Sequence, residues 1–332
     1  MTQIRMAQYG TKHSHGKGKV ISMLNNPNVE LIGVWEPDPA QRQQLTEQDD
    51  VYQQVTWFEH EDDLLNDPSI VAVASEGNNK ESLDQTERIV SAGKHVWYDK
   101  PAGEDWTQWQ RIVAQAKEQN LLIQMGYMLR YHDGFHQIAN WTHSGFLGDI
   151  FSVRGHMSTG ITPVQMERGS QYQGGILYDL GGHMLDQVLW LLGRPHTVTS
   201  FLRNDSGRMP GYVDNSLAVF EFDNAMAMID IAALETKPMA RRFEVYGTKG
   251  SAILIEPFEP GTQIRLCLNE ARGGFDAGVQ FVPIDARSRQ GLYDLELEAL
   301  IATINGAQAP DRSLDHELLV QEMLLRAVGT IE

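Results

Sequence analysis

Asp179 and His183 stand four residues apart in Gly174-Gly175-Ile176-Leu177-Tyr178-Asp179-Leu180-Gly181-Gly182-His183-Met184-Leu185-Asp186. If this segment is helical from about Asp179, both side chains lie on one face, one turn apart. A carboxylate beside an imidazole raises the imidazole pKa and holds the ring oriented, as a general base requires. The same residues allow two other arrangements. Asp179, His183 and Asp186 have a sterically possible metal-ligand spacing, and a helix-capping Asp179 beside a packed histidine is the plain structural alternative. No metal is expected, because no other cluster with ligand spacing supports one. His13, His15, His132 and His136 have simpler roles in a turn and on a helix face.

A lysine followed by proline, Lys100-Pro101, ends the apolar run Val96-Trp97-Tyr98-Asp99. That places Lys100 at the carboxyl edge of a strand, where open α/β sheets bind ligands. The first strand runs into Gly10-Thr11-Lys12-His13-Ser14-His15-Gly16, a glycine-containing turn that opens a helix. Such a turn holds the pyrophosphate of a dinucleotide through backbone N–H groups and the helix dipole. The usual G-x-G-x-x-G is absent, with Lys12 in place of the second glycine and His15 in place of the third. Glu36, after the apolar strand Leu31 to Trp35, can accept both ribose hydroxyls and repel a 2′-phosphate, which favours NAD. A solvated loop glutamate is the alternative there, and Lys12 or Arg42 would favour NADP.

Alternating apolar runs and amphipathic stretches must position these groups. Ile4 to Tyr9, Val29 to Trp35, Ile70 to Ser75, His95 to Tyr98 and Leu121 to Met125 read as strands. Helical spacing appears over 16–26, 79–93 and 104–119, where Leu83, Ile89 and Val90, or Trp109, Ile112, Val113 and Ala116, recur at three and four residues. Strand-helix repetition of this kind predicts βαβ crossovers and a parallel sheet covered on both faces. After about residue 127 the rhythm changes. Helices are expected at Asp133 to His143, Leu180 to Leu192, Leu292 to Asn305 and Asp315 to Val328. Strands are expected at Ile150 to Met157, Ser216 to Phe222, Ala225 to Ala233, Arg242 to Tyr246 and Ala252 to Glu256, joined by tight turns as antiparallel neighbours. The expected domains are 1–126 and 127–332.

Composition narrows the function classes. The 332 residues include 27 basic and 44 acidic side chains, a formal charge of −17. Residues 1–126 carry 11 basic and 19 acidic groups and residues 127–332 carry 16 and 25, so neither part offers a basic face to nucleic acid. One cysteine, Cys267, forms no internal disulfide. Lys12, Lys17 and Lys19 interrupt any signal-peptide core, and no apolar run reaches the ~18 residues of a membrane span. A cytoplasmic enzyme without nucleic-acid or membrane partners is expected.

The Gly10 turn, the acid after the second strand, Asp99-Lys100-Pro101 and Gly174-Gly175 through Asp179-Leu180-Gly181-Gly182-His183 together resemble the glucose-fructose oxidoreductase / inositol dehydrogenase (Gfo/Idh/MocA) family. Gly126-Tyr127-Met128-Leu129-Arg130-Tyr131 is similar to the family's entry into its second domain, and Gly247-Thr248-Lys249-Gly250 to a turn of its sheet. The resemblance implies an α/β fold: an N-terminal Rossmann domain with a parallel sheet, and a C-terminal α+β domain. The latter's large, mostly antiparallel open-faced sheet commonly pairs subunits, so a homodimer or homotetramer is implied. Lys100 matches the lysine of an E-K-P motif, with Asp99 replacing the usual glutamate, and Asp179 and His183 match a D-x-x-x-H pair. Ser75-Glu76-Gly77-Asn78-Asn79 departs from the more common Thr-Pro-Asn, and the histidine usual shortly after it is missing.

On this resemblance the chain is expected to oxidise a secondary alcohol of a sugar, inositol or related polyol with NAD or NADP, or to reduce the ketone. Gly10, Thr11, Lys12, His13 and His15 would hold the pyrophosphate and Glu36 the adenosine ribose, with Ser75, Glu76, Asn78, Lys100 and Pro101 as further cofactor contacts. His183 would take the hydroxyl proton, Lys100 would hydrogen-bond the same oxygen, and Asp179 would tune and hold both. Arg130, Tyr131, His156 and Tyr172 are expected substrate contacts. A nucleotide-binding regulatory protein that has lost catalysis, and an NAD-dependent glycoside hydrolase or lyase, are the rivals.

Overall fold

The computed structural model describes residues 3–254 and 257–332. Of the expected strand Ala252 to Glu256, Ile255 and Glu256 lie outside the described residues. The chain divides into two compact units, Met1–Tyr127 with Tyr293–Leu318, and Met128–Leu292 with Leu319–Glu332. Unlike the division read from sequence, this one returns the segment Tyr293–Leu318 to the first unit.

In the first unit, β1 (Ile4–Tyr9), α1 (Gly16–Asn25), β2 (Val29–Trp35), α2 (Pro39–Gln48), α3 (Glu61–Leu65), β3 (Ala72–Ser75), α4 (Ser82–Ser91), β4 (His95–Tyr98), α5 (Trp106–Glu118) and β5 (Ile123–Met125) follow in order. The five strands form a parallel sheet ordered β2-β1-β3-β4-β5. The order reverses between β1 and β3, and the carboxyl ends of these strands are where such sheets bind ligands. Central strands read as continuous buried runs because helices cover both faces: Ala72, Val73 and Ala74 on β3 and Val96, Trp97 and Tyr98 on β4 are fully buried. Helix α5 starts where the Asp105 carboxylate accepts the Gln108 N–H at 2.9 Å and buries Trp109, Ile112, Val113 and Ala116 on one stripe.

The second unit begins with a single turn, Met128–Tyr131, then α6 (Asp133–His143), β6 (Ile150–His156), α7 (Pro163–Gly169) and α8 (Gly175–Leu192). Strands β7 (Thr197–Arg203), β8 (Asn215–Glu221), β9 (Met226–Ala232), β10 (Arg242–Gly247), β11 (Gly250–Leu254), β12 (Gln263–Leu268) and β13 (Gly278–Pro283) complete an eight-stranded sheet. Its order is β13-β12-β11-β10-β6-β9-β8-β7, antiparallel except for the parallel pair β6 and β9. Ala218 and Phe220 of β8 and Ala227, Ile229 and Ile231 of β9 are buried on one face, while Leu217, Val219 and Met228 on the other are only half-buried. This period-two alternation marks a sheet covered on one side. The chain closes with α9 (Arg289–Ile304) and α10 (Leu314–Ala327). Among the described residues no helix is long and apolar enough to cross a membrane.

Candidate active site

Gly10 follows β1 with φ +82°, and a Cβ there would lie 2.7 Å from the Gly77 nitrogen. Only glycine fits both the left-handed backbone and the close approach of the two loops. Gly10→Ala is therefore expected to cost about 1–3 kcal/mol and to displace the turn. Urea unfolding and cofactor titration of this variant check that, and unchanged values in both would contradict it.

Around this turn the first unit gathers the expected cofactor residues, and many are already engaged. Glu36 is 2% exposed; its carboxylate accepts the Thr11 hydroxyl at 2.6 Å and the Asp38 N–H at 3.0 Å. It is therefore no solvated loop glutamate. Burial pushes its carboxyl up, only partly opposed by the Thr11 hydrogen bond. The Lys12 ammonium lies 3.4 Å from Asp38 and 3.2 Å from Glu81. Asn78 spends its side-chain oxygen on the N–H groups of Lys80 (3.0 Å) and Glu81 (3.1 Å), a local turn that leads into α4. Ser75 is buried and accepts the Thr86 hydroxyl at 3.0 Å. Lys100, 3% exposed, follows β4, and its backbone N–H donates to the Asp99 carboxylate at 2.8 Å.

A buried charge cluster links His13, His15 and Glu76 to Asp99, Lys19, Trp97 and Glu296, which sequence reasoning left out of the site. The nearest imidazole nitrogens of His15 and His13 lie 3.1 and 3.4 Å from Asp99. Lys19, fully buried on α1, reaches Glu76 at 2.7 Å and Asp99 at 3.3 Å, and its ammonium stands 4.6 Å from the centre of the Trp97 ring. The Trp97 indole N–H donates to Glu296 of α9 at 2.9 Å. Burial alone would depress the His13 imidazolium, but Asp99 and Glu76 outweigh it and raise the pKa to about 9. His15 goes the other way, lowered chiefly by burial. Asp99 is pushed up by burial, yet His13, His15 and Lys19 hold it well below the usual carboxylate range. The spacing of His15 and Lys19, one helical turn, was legible in sequence. Glu296 has no local signal, since it comes from the far end of the chain.

Burial pushes the Glu296 carboxyl up to about 8. Because the folded-state value is raised, its contribution to stability is full below the ordinary carboxylate range and is lost as pH rises towards 8. His13, raised from 6.5 to about 9, acts in the same direction over that higher window. The urea midpoint is thus expected to fall between about pH 6 and about pH 9, and less steeply in Glu296→Gln. A midpoint that rises across this range would contradict the assignment.

In the second unit, α8 starts at Gly175 rather than near Asp179. Gly174 (φ +84°) and Gly175 (φ +48°) make the entry, packed against Val328 and the Val213 backbone where a Cβ would collide. Asp179 therefore lies inside the helix and is not its cap. It is exposed, while His183, one turn on, is 2% exposed. Asp179 also raises the pKa of buried Tyr212, secondary to burial itself, which adds a neighbour that the sequence did not single out.

Arg130 holds Asp186 in a two-point ion pair, 2.6 Å from Nη2 and 3.2 Å from Nε, and its guanidinium lies 4.2 Å from the Trp190 ring centre. Asp186 is thereby committed to Arg130 and to Gln187 (3.0 Å), which removes it from the metal alternative with Asp179 and His183. Arg130 correspondingly locks the Met128–Tyr131 turn to α8; Tyr131 ends that turn, half-buried. Tyr172 stacks on Tyr178 of α8 at 5.4 Å. His156 does not join this group. A Cβ on its neighbour Gly155 would meet Met184 of α8, so His156 points to the opposite face of the sheet, where it bonds Asp230 at 2.5 Å and lies 3.4 Å from Glu235. His132 is buried, hydrogen-bonded to the Gly134 N–H (3.1 Å) and the Pro260 carbonyl (2.9 Å), as a structural histidine.

Residues 7–127 match the model of the oxidoreductase family with an NAD-binding Rossmann fold, and residues 135–253 match the GFO/IDH/MocA C-terminal domain. The chain is 26% identical over 292 residues to the uncharacterized oxidoreductase YhhX of Escherichia coli, covering 84% of this chain and 83% of that one. It is 27% identical over 262 residues to the scyllo-inositol 2-dehydrogenase (NAD(+)) of Bacillus subtilis, covering 76% and 74%. In fold it is similar to UDP-N-acetylglucosamine 3-dehydrogenase GnnA from Acidithiobacillus ferrooxidans, with a TM-score of 0.81 at 18% identity over 100% of this chain and 98% of that one. GenD2 from gentamicin A biosynthesis, solved in complex with NAD, superposes with a TM-score of 0.80 at 20% identity over 99% and 94%. The matched domains define an oxidoreductase of an NAD-binding Rossmann family. The chain belongs to the Gfo/Idh/MocA family.

Proposed function

We propose that this chain is an NAD(P)-dependent dehydrogenase acting on a secondary alcohol of a sugar, inositol or related polyol, or reducing the matching ketone. The observation that carries the reading is the pair on α8, an exposed Asp179 one turn from a buried His183. The inositol dehydrogenase among its relatives supports the substrate class. When bound, the nicotinamide supplies the hydride chemistry, and the protein's part is orientation and proton management.

Gly10, Thr11, Lys12, His13 and His15 hold the pyrophosphate in this proposal, with Ser75, Glu76, Asn78 and Pro101 completing the cofactor's surroundings. The turn fits that group at Gly10, where the approach of Gly77 leaves no room for a side chain. Glu36 retains acceptor capacity beyond its bonds to Thr11 and Asp38, so its carboxylate suits a ribose and disfavours a 2′-phosphate. NAD is accordingly the preferred cofactor. His183 takes the proton of the substrate hydroxyl and Asp179 holds the imidazole oriented, while Lys100 has the role of a hydrogen-bond donor that stabilises developing negative charge. Tyr131 and Tyr172 are the substrate contacts retained; Arg130 serves by fixing α8 through Asp186.

A calorimetric titration of NAD and of NADP against the wild-type chain and Glu36→Ala tests the cofactor side. NAD is expected to bind more tightly to wild type, and the preference to shrink in the variant. Failure of both nucleotides to bind would end the dehydrogenase reading. The open face of the sheet supports a homodimer or homotetramer: Phe201 is 58% and Phe281 56% exposed on its two edge strands. Phe281→Glu is expected to reduce the mass measured by light scattering, and an unchanged mass would place the interface elsewhere.

A further inference from the structure

Four side chains with metal-ligating atoms converge at the Gly10 turn. Ring nitrogens of His13 and His15 and a carboxylate oxygen of Asp99 lie within 4.8 Å of one another. Glu76 adds a fourth, with its Oε2 3.6 Å from His13 Nδ1. We propose that His13, His15, Asp99 and Glu76 form a binding site for one divalent transition-metal ion of the zinc class. The site shares His13, His15 and Glu76 with the cofactor contacts proposed above but does not depend on the substrate proposed there.

Geometry comes first. Metal–nitrogen and metal–oxygen bonds of about 2.0–2.1 Å place neighbouring ligands of a tetrahedral site about 3.3 Å apart. The imidazole–carboxylate distances of 3.1, 3.4 and 3.6 Å bracket that edge, so small adjustments would admit an ion. The donor set, two imidazoles and two carboxylates, suits zinc and its neighbours better than magnesium or calcium, which take oxygen-rich shells.

Charge and hydrogen bonding point the same way. Asp99 and Glu76 are two buried carboxylates that share the Lys19 ammonium, and a dication displacing the proton between them and the imidazoles would meet negative charge on both. Glu76 is fully buried, and among the described residues neither of its oxygens receives a hydrogen bond. The Lys19 ammonium compensates one of these oxygens and leaves the other as the open donor. The Glu76 Oε1 already faces Lys19 at 2.7 Å, which leaves Oε2 turned towards His13. Lys19 and Glu296 would then act outside the ligand shell, Lys19 orienting both carboxylates as partners of metal ligands do. His13 and His15 side chains are 9% and 10% exposed, enough to open the cluster to an entering ion.

The test uses the full chain, stripped with a chelator and without nicotinamide, titrated with cobalt(II). One equivalent is expected to bind with a visible ligand-field band that zinc bleaches. His13→Gln and His15→Gln should each weaken binding at least about 100-fold, while His196→Gln, an exposed histidine paired with Asp223, should leave it unchanged. X-ray absorption on zinc-loaded wild type, which needs no variant to fold, should show two imidazoles with oxygen donors. Absence of stoichiometric uptake, uptake indifferent to both histidine variants, or a zinc shell lacking two imidazoles would overturn the site. Because nicotinamide binding is measured separately, failure here leaves the dehydrogenase reading standing, and the reverse holds too.

Discussion

His183→Ala is expected to lower turnover about 100- to 10,000-fold, the usual worth of general-base assistance, with NAD affinity nearly unchanged. Two features of α8 produce that split. His183 is 2% exposed, so an imidazole base there would act at low dielectric, and in the proposal the exposed Asp179 one turn earlier orients it. The Gly10 turn belongs to the first unit, so truncating a side chain on α8 leaves Gly10 and Glu36 in place. His183→Gln, which keeps a polar side chain but titrates no proton, should share the loss, and added imidazole should restore part of it to the alanine variant. Turnover near wild type in both variants would remove His183 from the mechanism.

The largest expected stability effect lies in the first unit. Lys19→Met removes an ammonium that is fully buried between Glu76 at 2.7 Å and Asp99 at 3.3 Å. The methionine side chain can occupy the same volume against Trp97, so packing is largely kept and the change is mainly electrostatic. Two carboxylates then remain buried with less compensation. Breaking such a pair by deleting one partner costs about 3–5 kcal/mol. For a domain of this size that lowers the melting temperature by roughly 6–20 °C. Calorimetry on the metal-free chain reads the shift directly. A loss under about 1 kcal/mol, the value of an exposed pair, would show that the cluster is solvated rather than buried.

Much of the fold was legible because its signals are local. The limits of β1, β2, β4 and α6 coincide with the runs expected from sequence, since buried parallel strands are continuous apolar runs and α6 carries its own stripe of Phe135, Ile138 and Ala139. Several elements that bury little were missed, and so was β12, although Ile264, Leu266 and Leu268 are buried on it in alternation. Helix α2 has no buried residue, and the edge strands β7 and β13 have none either, so periodicity has nothing to register. The start of α8 was placed too late, because Gly174 and Gly175 look like a loop until their contacts with Val328 and Val213 show why glycine is needed there.

Of the candidate residues, the places of Gly10, Glu36 and Lys100 at strand ends and of Asp179 and His183 one turn apart on a helix were legible, because residue type and nearby pattern suffice for position. His156 was misplaced because the alternation of β6 sends it away from α8, and a strand's facing cannot be told before its partners are known. Arg130 looked like a substrate ligand, yet its Asp186 partner lies 56 residues away. Glu296 went unseen for the same reason, its partner Trp97 lying 199 residues away, while Lys19 offered only its one-turn spacing from His15.

The central claim, an NAD-dependent polyol dehydrogenase, is tested most directly by nicotinamide absorbance during turnover. The full chain is mixed with NAD and a panel of sugars and inositols, alongside His183→Ala. The account predicts reduction of NAD by at least one polyol in the wild type, and its near-complete loss in the variant. NAD that binds but is reduced by no member of the panel, or product formed without net reduced nicotinamide, would contradict it.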